Sequence, residues 1–276
     1  MAALASIQMM DIFKDGVCAG KVVFVAGGSS GINLAIAQRF SELGAKVGLI
    51  SRKQERIRAA AATIVDAGGV ALGIEADVRS YEAVDRALAR VRQEFGEIDV
   101  VISGAAGNFL APVLGMSSNA FRTVIEIDLL GTFHVLRACY AYIRKPGASI
   151  ISITAGQAVR PTMFQAHAGA AKAGINNLTR TLAMEWGPAG IRVNAIAPGP
   201  IGDTEGMARL APSPELTAAL KAKIPLRDYG RKRDIADMAV FLCSDNAKYV
   251  TGAIFDCDGG SVLGDASADA LTVPAR

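Results

Sequence analysis

A glycine-rich segment between a short apolar run and an amphipathic stretch is the part of the sequence best suited to bind an anion. The apolar run 21–26 leads into Gly27, Gly28, Ser29, Ser30, Gly31, Ile32 and Asn33. Glycines let the backbone turn tightly and approach a pyrophosphate, and the free N–H groups at the start of the next helix meet its charge. This pattern predicts a dinucleotide-binding turn. An ordinary glycine-rich turn between a strand and a helix is the alternative.

Charged residues at the ends of the next two strands bear on which dinucleotide binds. The apolar run 46–51 is followed by Arg52. An acidic side chain at this position binds a ribose 2′-hydroxyl, whereas a cationic side chain binds a 2′-phosphate. Arg52 therefore favours NADP(H) over NAD(H), unless it is a solvated surface arginine. Asp77 and Val78 close the third strand and are placed to contact the adenine, although a simple turn is the alternative.

The composition limits the class of protein and the side chains available for chemistry. Of the 276 residues, 51% are hydrophobic and 20% are charged, which excludes disorder over most of the chain. The formal net charge of +3 is far from the clustered positive charge of a nucleic-acid binder. With 2 His and 4 scattered Cys, we expect no metal site and buried, reduced cysteines.

Neither end of the sequence nor its apolar runs predict a membrane or a targeting signal. No apolar run approaches the ~18–20 residues needed to span a bilayer. The first residues lack the basic stretch of a secretory signal, and the last five, TVPAR, are not an address of the Ser-Lys-Leu type. We therefore expect a cytoplasmic protein with neither a membrane nor a nucleic acid as partner.

Short apolar runs alternate with helix-length amphipathic stretches from residue 20 to residue 260. The alternation predicts a single-domain, doubly wound (Rossmann) α/β fold with a mainly parallel, seven-stranded sheet. Strands are predicted at 21–26, 46–51, 70–76, 98–103, 148–153, 191–197 and 253–257. Helices are predicted at 32–43, 54–67, 81–95, 119–144, 165–186 and 231–244. Residues 199–226 are expected to form a substrate lid, and residues 263–276 a loose tail beyond a core of about 17–262.

Together, these motifs resemble the short-chain dehydrogenase/reductase family over about residues 17–262. The matching residues are Gly27 and Gly31 in the turn, Asp77, Ala105-Ala106-Gly107, Lys172 and Pro198-Gly199. The resemblance implies an NADP(H) site in which residues 198–204 wrap the nicotinamide carboxamide. The residues implied to hold the cofactor are Gly27, Ser29, Ser30, Gly31, Ile32, Arg52, Asp77, Val78, Ala105, Gly107, Lys172, Pro198, Gly199, Ile201 and Thr204.

Departures from the family pattern bear directly on the chemistry. The tyrosine that most members carry four residues before the helix lysine is Ala168 here, and the strand-five serine falls at Thr154-Ala155. The asparagine of the preceding helix is Asp128, and the third glycine of the turn is Asn33. Such a chain is either a non-catalytic relative or an enzyme with another proton source.

The combination resembles one subgroup, the peroxisomal-type 2,4-dienoyl-CoA reductases. The matching strings are 105–110, 127–128 with 131–133, 167–169, 198–201 and 204–206. The resemblance implies that hydride reaches Cδ of a dienoyl thioester, and that the resulting dienolate needs a donor at its oxygen and a proton at Cα. It also implies that Asp128 and Lys172 hold the water that delivers this proton. A paired helix carboxylate and a solvated lysine are the alternatives.

Substrate contacts near the reacting carbon follow from the same resemblance. Asn108 is placed to polarise the thioester carbonyl, and Phe109 to cover the flat diene. His167 is a second candidate acid, because an imidazole titrates near neutral pH. It precedes Ala168 by one helix position and so points about 100° away from that face. We therefore favour a structural or substrate-lining histidine.

The CoA end of the substrate is expected to meet cations. Arg52 and Arg79 lie where CoA phosphates are expected, and Arg209 resembles a CoA contact of the family. Ser117 and Asn119 fall where relatives touch the acyl-CoA, although Ser117 by itself predicts a helix N-cap.

The leading hypothesis is NADPH-dependent reduction of 2,4-dienoyl-CoA in unsaturated fatty-acid β-oxidation, in the homotetramer that the family usually forms. A reductase of another enoyl or 3-oxoacyl thioester is the second hypothesis, and the missing tyrosine disfavours ketone reduction. The third is a non-catalytic NADP(H)-binding protein, which the retained cofactor turn disfavours.

Overall fold

Seven strands form one sheet in the computed structural model, which describes residues 12–204, 206–207 and 211–268. The strands are β1 (Val22–Ala26), β2 (Lys46–Ser51), β3 (Val70–Glu75), β4 (Val100–Ser103), β5 (Ser149–Ile153), β6 (Arg192–Pro198) and β7 (Ile254–Cys257). They pair in the order β3-β2-β1-β4-β5-β6-β7, and every pairing is parallel. The predicted doubly wound α/β domain is thus confirmed. The strand order reverses between β1 and β4, which places a ligand crevice outside their carboxyl ends.

Helices cover both faces of this sheet. Those of the described residues are α1 (Gly31–Glu42), α2 (Gln54–Asp66), α3 (Tyr81–Phe95), α4 (Ser118–Val124), α5 (Gly131–Cys139), α6 (Ala166–Trp186), α7 (Pro214–Lys223) and α8 (Lys232–Cys243). A π-helical segment, Ile125–Leu130, joins α4 to α5.

The strand β1 shows how the sequence builds two apolar layers. Its side chains alternate, so Val23 and Val25 pack among α1, α2 and α8, whereas Phe24 packs among α3, α5 and α6. Phe40 of α1 and Leu88 of α3 are fully buried in the two layers. Burial of each such side chain contributes about 1.5–3 kcal/mol. The layers fix β1 and β4, whose ends carry the crevice.

The predicted single helix over residues 119–144 is wrong in two respects. The π-helical segment interrupts it, and α5 ends at Cys139. Beyond Cys139 the chain turns back, and Arg144 N–H donates to Ile98 O at 2.9 Å. Ile143 is buried beside the entry to β4 rather than on a helix face. Its apolar character therefore extended the helical pattern past the true end.

The four cysteines are free thiols. Cys18, Cys139 and Cys243 are buried free thiols, whereas Cys257 is half-buried. Burial raises the pKa of Cys243 to about 12. Among the residues that the structure describes, no helix is long and apolar enough to cross a membrane. In the same residues, no three His, Cys, Asp or Glu side chains come together as metal ligands.

Candidate active site

The turn between β1 and α1 has room for an anion, and it has no room for a side chain at Gly27. Gly27 has φ +79°, and a Cβ there would lie 2.7 Å from Ala105 Cα. At Gly31, with φ +63°, a Cβ would meet nothing within 4 Å, so the helix begins beside open space. Ser30 precedes α1 without capping it through its side chain, which leaves first-turn N–H groups for a ligand. Ser29 and Ile32 are half-buried beside this opening. The turn fits a dinucleotide pyrophosphate.

Asn33, at the position of the third glycine, bridges this turn to β4. Its Nδ2 donates to Gly104 O at 2.7 Å and to Gly27 O at 3.3 Å. A Cβ at Gly104 would meet Asn33 Oδ1 at 2.1 Å, so the two residues are matched in size. The side chain therefore fastens the ends of β1 and β4 together.

The ends of β2 and β3 present a cation and an ion pair. Arg52 is exposed. Arg79 binds Asp77 through two nitrogens, with Nη2 2.6 Å from Oδ2 and Nε 3.1 Å from both carboxylate oxygens. This side-chain hydrogen bond lowers the pKa of Asp77, to which the charge of Arg52 also contributes. Val78 is buried, and His134 Nδ1 lies 2.8 Å from its carbonyl oxygen.

An open cavity of about 440 Å³ lies beside the Arg79–Asp77 pair. Its lining residues are Asp77, Arg79, Ser80, Glu126 and Leu130. Arg79 thus lines a cavity, but two of its nitrogens already donate hydrogen bonds to Asp77. The sequence did not predict this ion pair.

Asp128 and Lys172 form a buried ion pair next to the loop that follows β4. Asp128 lies on the π-helical segment and is 1% exposed, while Lys172 on α6 is 8% exposed. Asp128 Oδ2 is 3.4 Å from Lys172 Nζ, and Oδ1 accepts a 2.7 Å hydrogen bond from Gly107 N–H. Lys172 Nζ also donates to Ile153 O at 3.1 Å. The structure therefore brings together the two residues predicted to be catalytic.

The positions that hold a tyrosine and a serine in most of the family are Ala168 and Thr154-Ala155 here. Ala168 is buried at the position of the family tyrosine. Thr154 turns its hydroxyl to the helix backbone and donates to Lys172 O at 3.4 Å. Lys172 follows Ala168 by one helical turn on α6, so the Asp128–Lys172 pair lies beside the place that the tyrosine would occupy.

The loop after β4 is fastened to the start of α6 by side-chain amides. Asn108 Nδ2 and Gln157 Nε2 both donate to Gln165 Oε1 at 2.9 Å. Gln157 and Gln165 belong to no motif, so the sequence offered no signal for them. Phe109 is 41% exposed and packs edge-on against the ring of His167, with 4.3 Å between ring centroids.

The start of α4 confirms the N-cap and adds an apolar cavity. Ser117 Oγ accepts from Ala120 N–H at 3.1 Å. Asn119 is exposed, and its carbonyl accepts from Thr123 Oγ1. A cavity of about 250 Å³ opens here. Its lining residues are Val113, Met116, Ser117, Ser118, Phe121 and Ala166.

The segment after β6 is held in place mainly by backbone contacts. Gly199 N–H donates to Cys257 O at 3.0 Å, and a Cβ there would lie 2.4 Å from Asp258 Cα. Pro198 ends β6, and Ile201 is buried in the core. Thr204 Oγ1 donates to Ile201 O at 2.8 Å, so this hydroxyl closes a local turn. Arg209 lies outside the described residues.

These features match a known family over most of the chain. A family model described as Enoyl-(Acyl carrier protein) reductase matches residues 26–261. The chain belongs to the short-chain dehydrogenase/reductase family. Members of this family are oxidoreductases, and the protein accordingly binds a nicotinamide cofactor. The glycine turn at α1 and the open crevice beside it fit that group.

Similar proteins within the family include enzymes whose names state an activity. The peroxisomal 2,4-dienoyl-CoA reductase ((3E)-enoyl-CoA-producing) of Saccharomyces cerevisiae is 44% identical over 254 residues, covering 91% of this chain and 85% of the relative. The Rattus norvegicus enzyme of the same description is 43% identical, covering 91% and 86%. A crystal structure of a short chain dehydrogenase from Bacillus anthracis has a TM-score of 0.78 at 37% identity, covering 88% and 97%.

The comparison corrects the expectation about the cell compartment. Both dienoyl-CoA reductases named above are described as peroxisomal. The prediction of a cytoplasmic protein, made from the ends of the sequence, is therefore contradicted.

Proposed function

We propose that the protein reduces 2,4-dienoyl-CoA thioesters with NADPH, as a step in the β-oxidation of unsaturated fatty acids. The observation that carries the proposal is the buried Asp128–Lys172 pair beside Ala168. A ketoreductase needs a donor at an alkoxide, which the family tyrosine supplies. A dienolate instead needs a proton at carbon, which a carboxylate, a lysine and a water can deliver together.

We assign the cofactor contacts from the family resemblance. Gly27 and Gly31 hold the pyrophosphate with Ser29, Ser30 and Ile32, and Arg52 meets the 2′-phosphate, which gives the preference for NADPH. Asp77 and Val78 contact the adenine, and Thr204 lies over the pyrophosphate. Lys172 binds the nicotinamide ribose, and the segment with Pro198, Gly199 and Ile201 wraps the carboxamide. Ala105 and Gly107 contribute the cofactor contacts of the loop after β4. When bound, the reduced nicotinamide supplies a hydride to Cδ of the substrate.

The proton is delivered by the chain's own residues. Of the three N–H donors on Lys172 Nζ, one meets Ile153 O and one faces Asp128, which leaves the third for a water. Asp128 is held by Gly107 N–H so that its second oxygen faces the lysine. The water passes a proton to Cα of the dienolate and is reprotonated through this pair. Protonation at Cα leaves a double bond between Cβ and Cγ, which is a 3-enoyl product.

The substrate lies between two features of the crevice. The acyl chain enters the cavity lined by Phe121 and Ala166, and the diene stacks on Phe109. Ser117 and Asn119 border the acyl entrance. The phosphates of CoA meet Arg52 and Arg79.

The function is tested with purified protein, NADPH and a series of 2,4-dienoyl-CoA esters of different chain length. We expect loss of the near-ultraviolet absorbance of NADPH with the dienoyl esters, and little with 3-oxoacyl-CoA or 2-enoyl-CoA. Mass spectrometry and nuclear magnetic resonance should identify a 3-enoyl-CoA. Binding of NADPH without turnover of any dienoyl ester would instead identify a non-catalytic protein.

Two further assignments concern the whole molecule. We propose that residues 199–226 act as a lid, because α7 within them contains no buried residue. We also propose a homotetramer, in which exposed apolar residues such as Phe133 on α5 and Met184 on α6 become buried. Light scattering at several concentrations tests the tetramer, and protease protection by an acyl-CoA tests the lid.

A further inference from the structure

His167 is a fully buried histidine whose ring nitrogens have no hydrogen-bond partner among the described residues. It is 0% exposed, and both Nδ1 and Nε2 are buried. A buried polar group without a partner costs about 1–3 kcal/mol. The other histidine of the chain, His134, has Nδ1 2.8 Å from Val78 O. The fold thus satisfies one imidazole and leaves the other with unused hydrogen-bonding capacity.

The position of His167 links the two substrate-facing features of the crevice. Its neighbour Ala166 lines the cavity at the start of α4. The ring of His167 contacts Phe109 edge-on. Phe109 lies two residues after Gly107, which holds Asp128. The imidazole therefore packs on the loop that positions the proposed proton source, and it follows by one residue along α6 a residue that lines the apolar cavity.

The segment around His167 is fixed before any ligand arrives. Phe164, three residues upstream, has φ +67°, a conformation that costs a bulky residue about 1–3 kcal/mol. Its carbonyl accepts a 3.0 Å hydrogen bond from Ala111 N–H, which fastens the segment to the loop after β4. Such strain is retained where the surrounding structure determines it, and it is commonly found at ligand sites.

The polar neighbour expected to bind the substrate is already engaged. Asn108 Nδ2 donates to Gln165 Oε1, which also accepts from Gln157. These amides therefore hold one another across the start of α6. Asn108 keeps one further N–H on Nδ2, whereas both ring nitrogens of His167 are without a partner among the described residues.

We propose that His167 is a substrate-binding residue that donates a hydrogen bond to the thioester carbonyl oxygen of the acyl-CoA. The inference rests on the proposed function, because it places the diene against Phe109 and the acyl chain in the cavity beside Ala166. As hydride arrives at Cδ, negative charge develops on this oxygen. A donor in a water-excluded site stabilises such charge strongly, and loss of one donor of this kind costs about 10²–10³ in kcat.

The test uses a signal that does not depend on turnover. The protein without cofactor is titrated with a 2,4-dienoyl-CoA, and the long-wavelength absorption band of the conjugated thioester is recorded. A hydrogen bond to the carbonyl shifts this band to longer wavelength. We expect the shift in the wild-type protein, its loss in H167L despite retained binding of the ester, and partial retention in H167Q, whose amide still donates. The control H134Q, which loses the other histidine, should keep the wild-type shift.

Kinetics give the second measurement. H167L should lower kcat on the dienoyl ester by about 10²–10³ with the Kd for NADPH unchanged, and H167Q should recover part of the loss. If H167L does not fold by circular dichroism, H167F replaces it, because its ring keeps the contact with Phe109.

The outcomes separate this inference from the proposed function. A wild-type protein that reduces dienoyl esters while H167L or H167F keeps the full band shift overturns the role of His167 and leaves the function intact. Failure of the wild-type protein to bind or reduce any dienoyl ester overturns both. Loss of the shift together with the kinetic loss supports the inference.

Discussion

Gly107 holds Asp128 in place through a 2.7 Å hydrogen bond from its backbone N–H to Oδ1. Gly107 belongs to the loop after β4, whereas Asp128 belongs to the π-helical segment before α5. The orientation of the carboxylate therefore depends on two separate parts of the chain. With Oδ1 occupied, only Oδ2 faces Lys172, so the proposed proton route has one defined direction.

Asp128→Asn should abolish most of the activity without disturbing cofactor binding. The amide keeps an oxygen that can accept from Gly107 N–H. It lacks the negative charge with which Asp128 pairs with Lys172 in the proposed proton route. We expect kcat on a dienoyl-CoA to fall by about 10²–10⁴, with the Kd for NADPH within a few-fold of wild type. Steady-state kinetics and fluorescence titration measure the two values.

The matched control is Glu185→Gln, a carboxylate exposed on α6. It should show wild-type kinetics. Near-normal kcat in Asp128→Asn would remove Asp128 from the mechanism. Asp128→Ala is the less suitable variant, because it leaves Lys172 buried without its partner and should cost about 3–5 kcal/mol of stability.

Arg52→Ala should weaken the preference for NADPH over NADH. A hydrogen bond to a charged group contributes about 1.5–3 kcal/mol, so the Kd for NADPH should rise by about 10- to 100-fold. The Kd for NADH, which lacks the 2′-phosphate, should change little. Arg58→Ala, an exposed arginine on α2, serves as the control. Equal weakening of both cofactors by Arg52→Ala would contradict the assignment.

Asn33→Gly should weaken the cofactor turn even though it introduces the residue usual in the family. It removes the bonds to Gly104 O and Gly27 O, each worth about 0.5–1.5 kcal/mol. Glycine inside a helix adds about 1 kcal/mol more. We therefore expect a lower free energy of unfolding by urea titration and weaker NADPH binding. Increased stability would show that the side chain crowds the turn instead of fastening it.

Arg79→Gln should reduce stability only where Asp77 is ionised. The Arg79 hydrogen bond lowers the pKa of Asp77 below its ordinary 3.8, so the stabilisation is present above that value and is lost as pH falls through the lower folded pKa. Because the pair is partly exposed, the difference at neutral pH should stay below about 1 kcal/mol.

Urea unfolding of the wild type, Arg79→Gln, Asp77→Asn and the double variant measures this coupling. The difference between wild type and Arg79→Gln should shrink as the pH falls below 3.8. A difference that persisted at low pH, or additive single variants, would show that the two side chains act separately.

The sequence predicted the sheet well because its strands are short apolar runs bounded by glycines and polar residues. Buried on both faces, β1 leaves no ambiguity in that pattern. The helix over 119–144 failed because hydrophobic spacing cannot distinguish an α-helix from one with a π-helical insertion. It also cannot show that Ile143 packs beside the entry to β4.

Site residues that belong to a motif could be predicted from the sequence. The hydrogen bonds that those residues make could not, because they depend on contacts in three dimensions. Asp128 and Lys172 followed from a family resemblance, and the structure brings them together. The engagement of Asn108 by Gln165 depends on a side-chain amide that no motif marks. The unpartnered ring of His167 depends on what packs around it in three dimensions, which spacing along one helix does not contain.

Because Asp128 lies in the π-helical segment Ile125–Leu130, its position depends on the number of residues between α4 and α5. A π turn accommodates one residue more than an α turn, so α4 and α5 are out of phase with each other by one residue. Deleting a single residue here to restore a continuous helix would rotate one side against the other by about 100°. Asp128 would then leave Gly107 or Lys172 although every side chain of the site was still present. A scan of substitutions would not reveal this effect, because substitutions leave the number of residues between α4 and α5 unchanged.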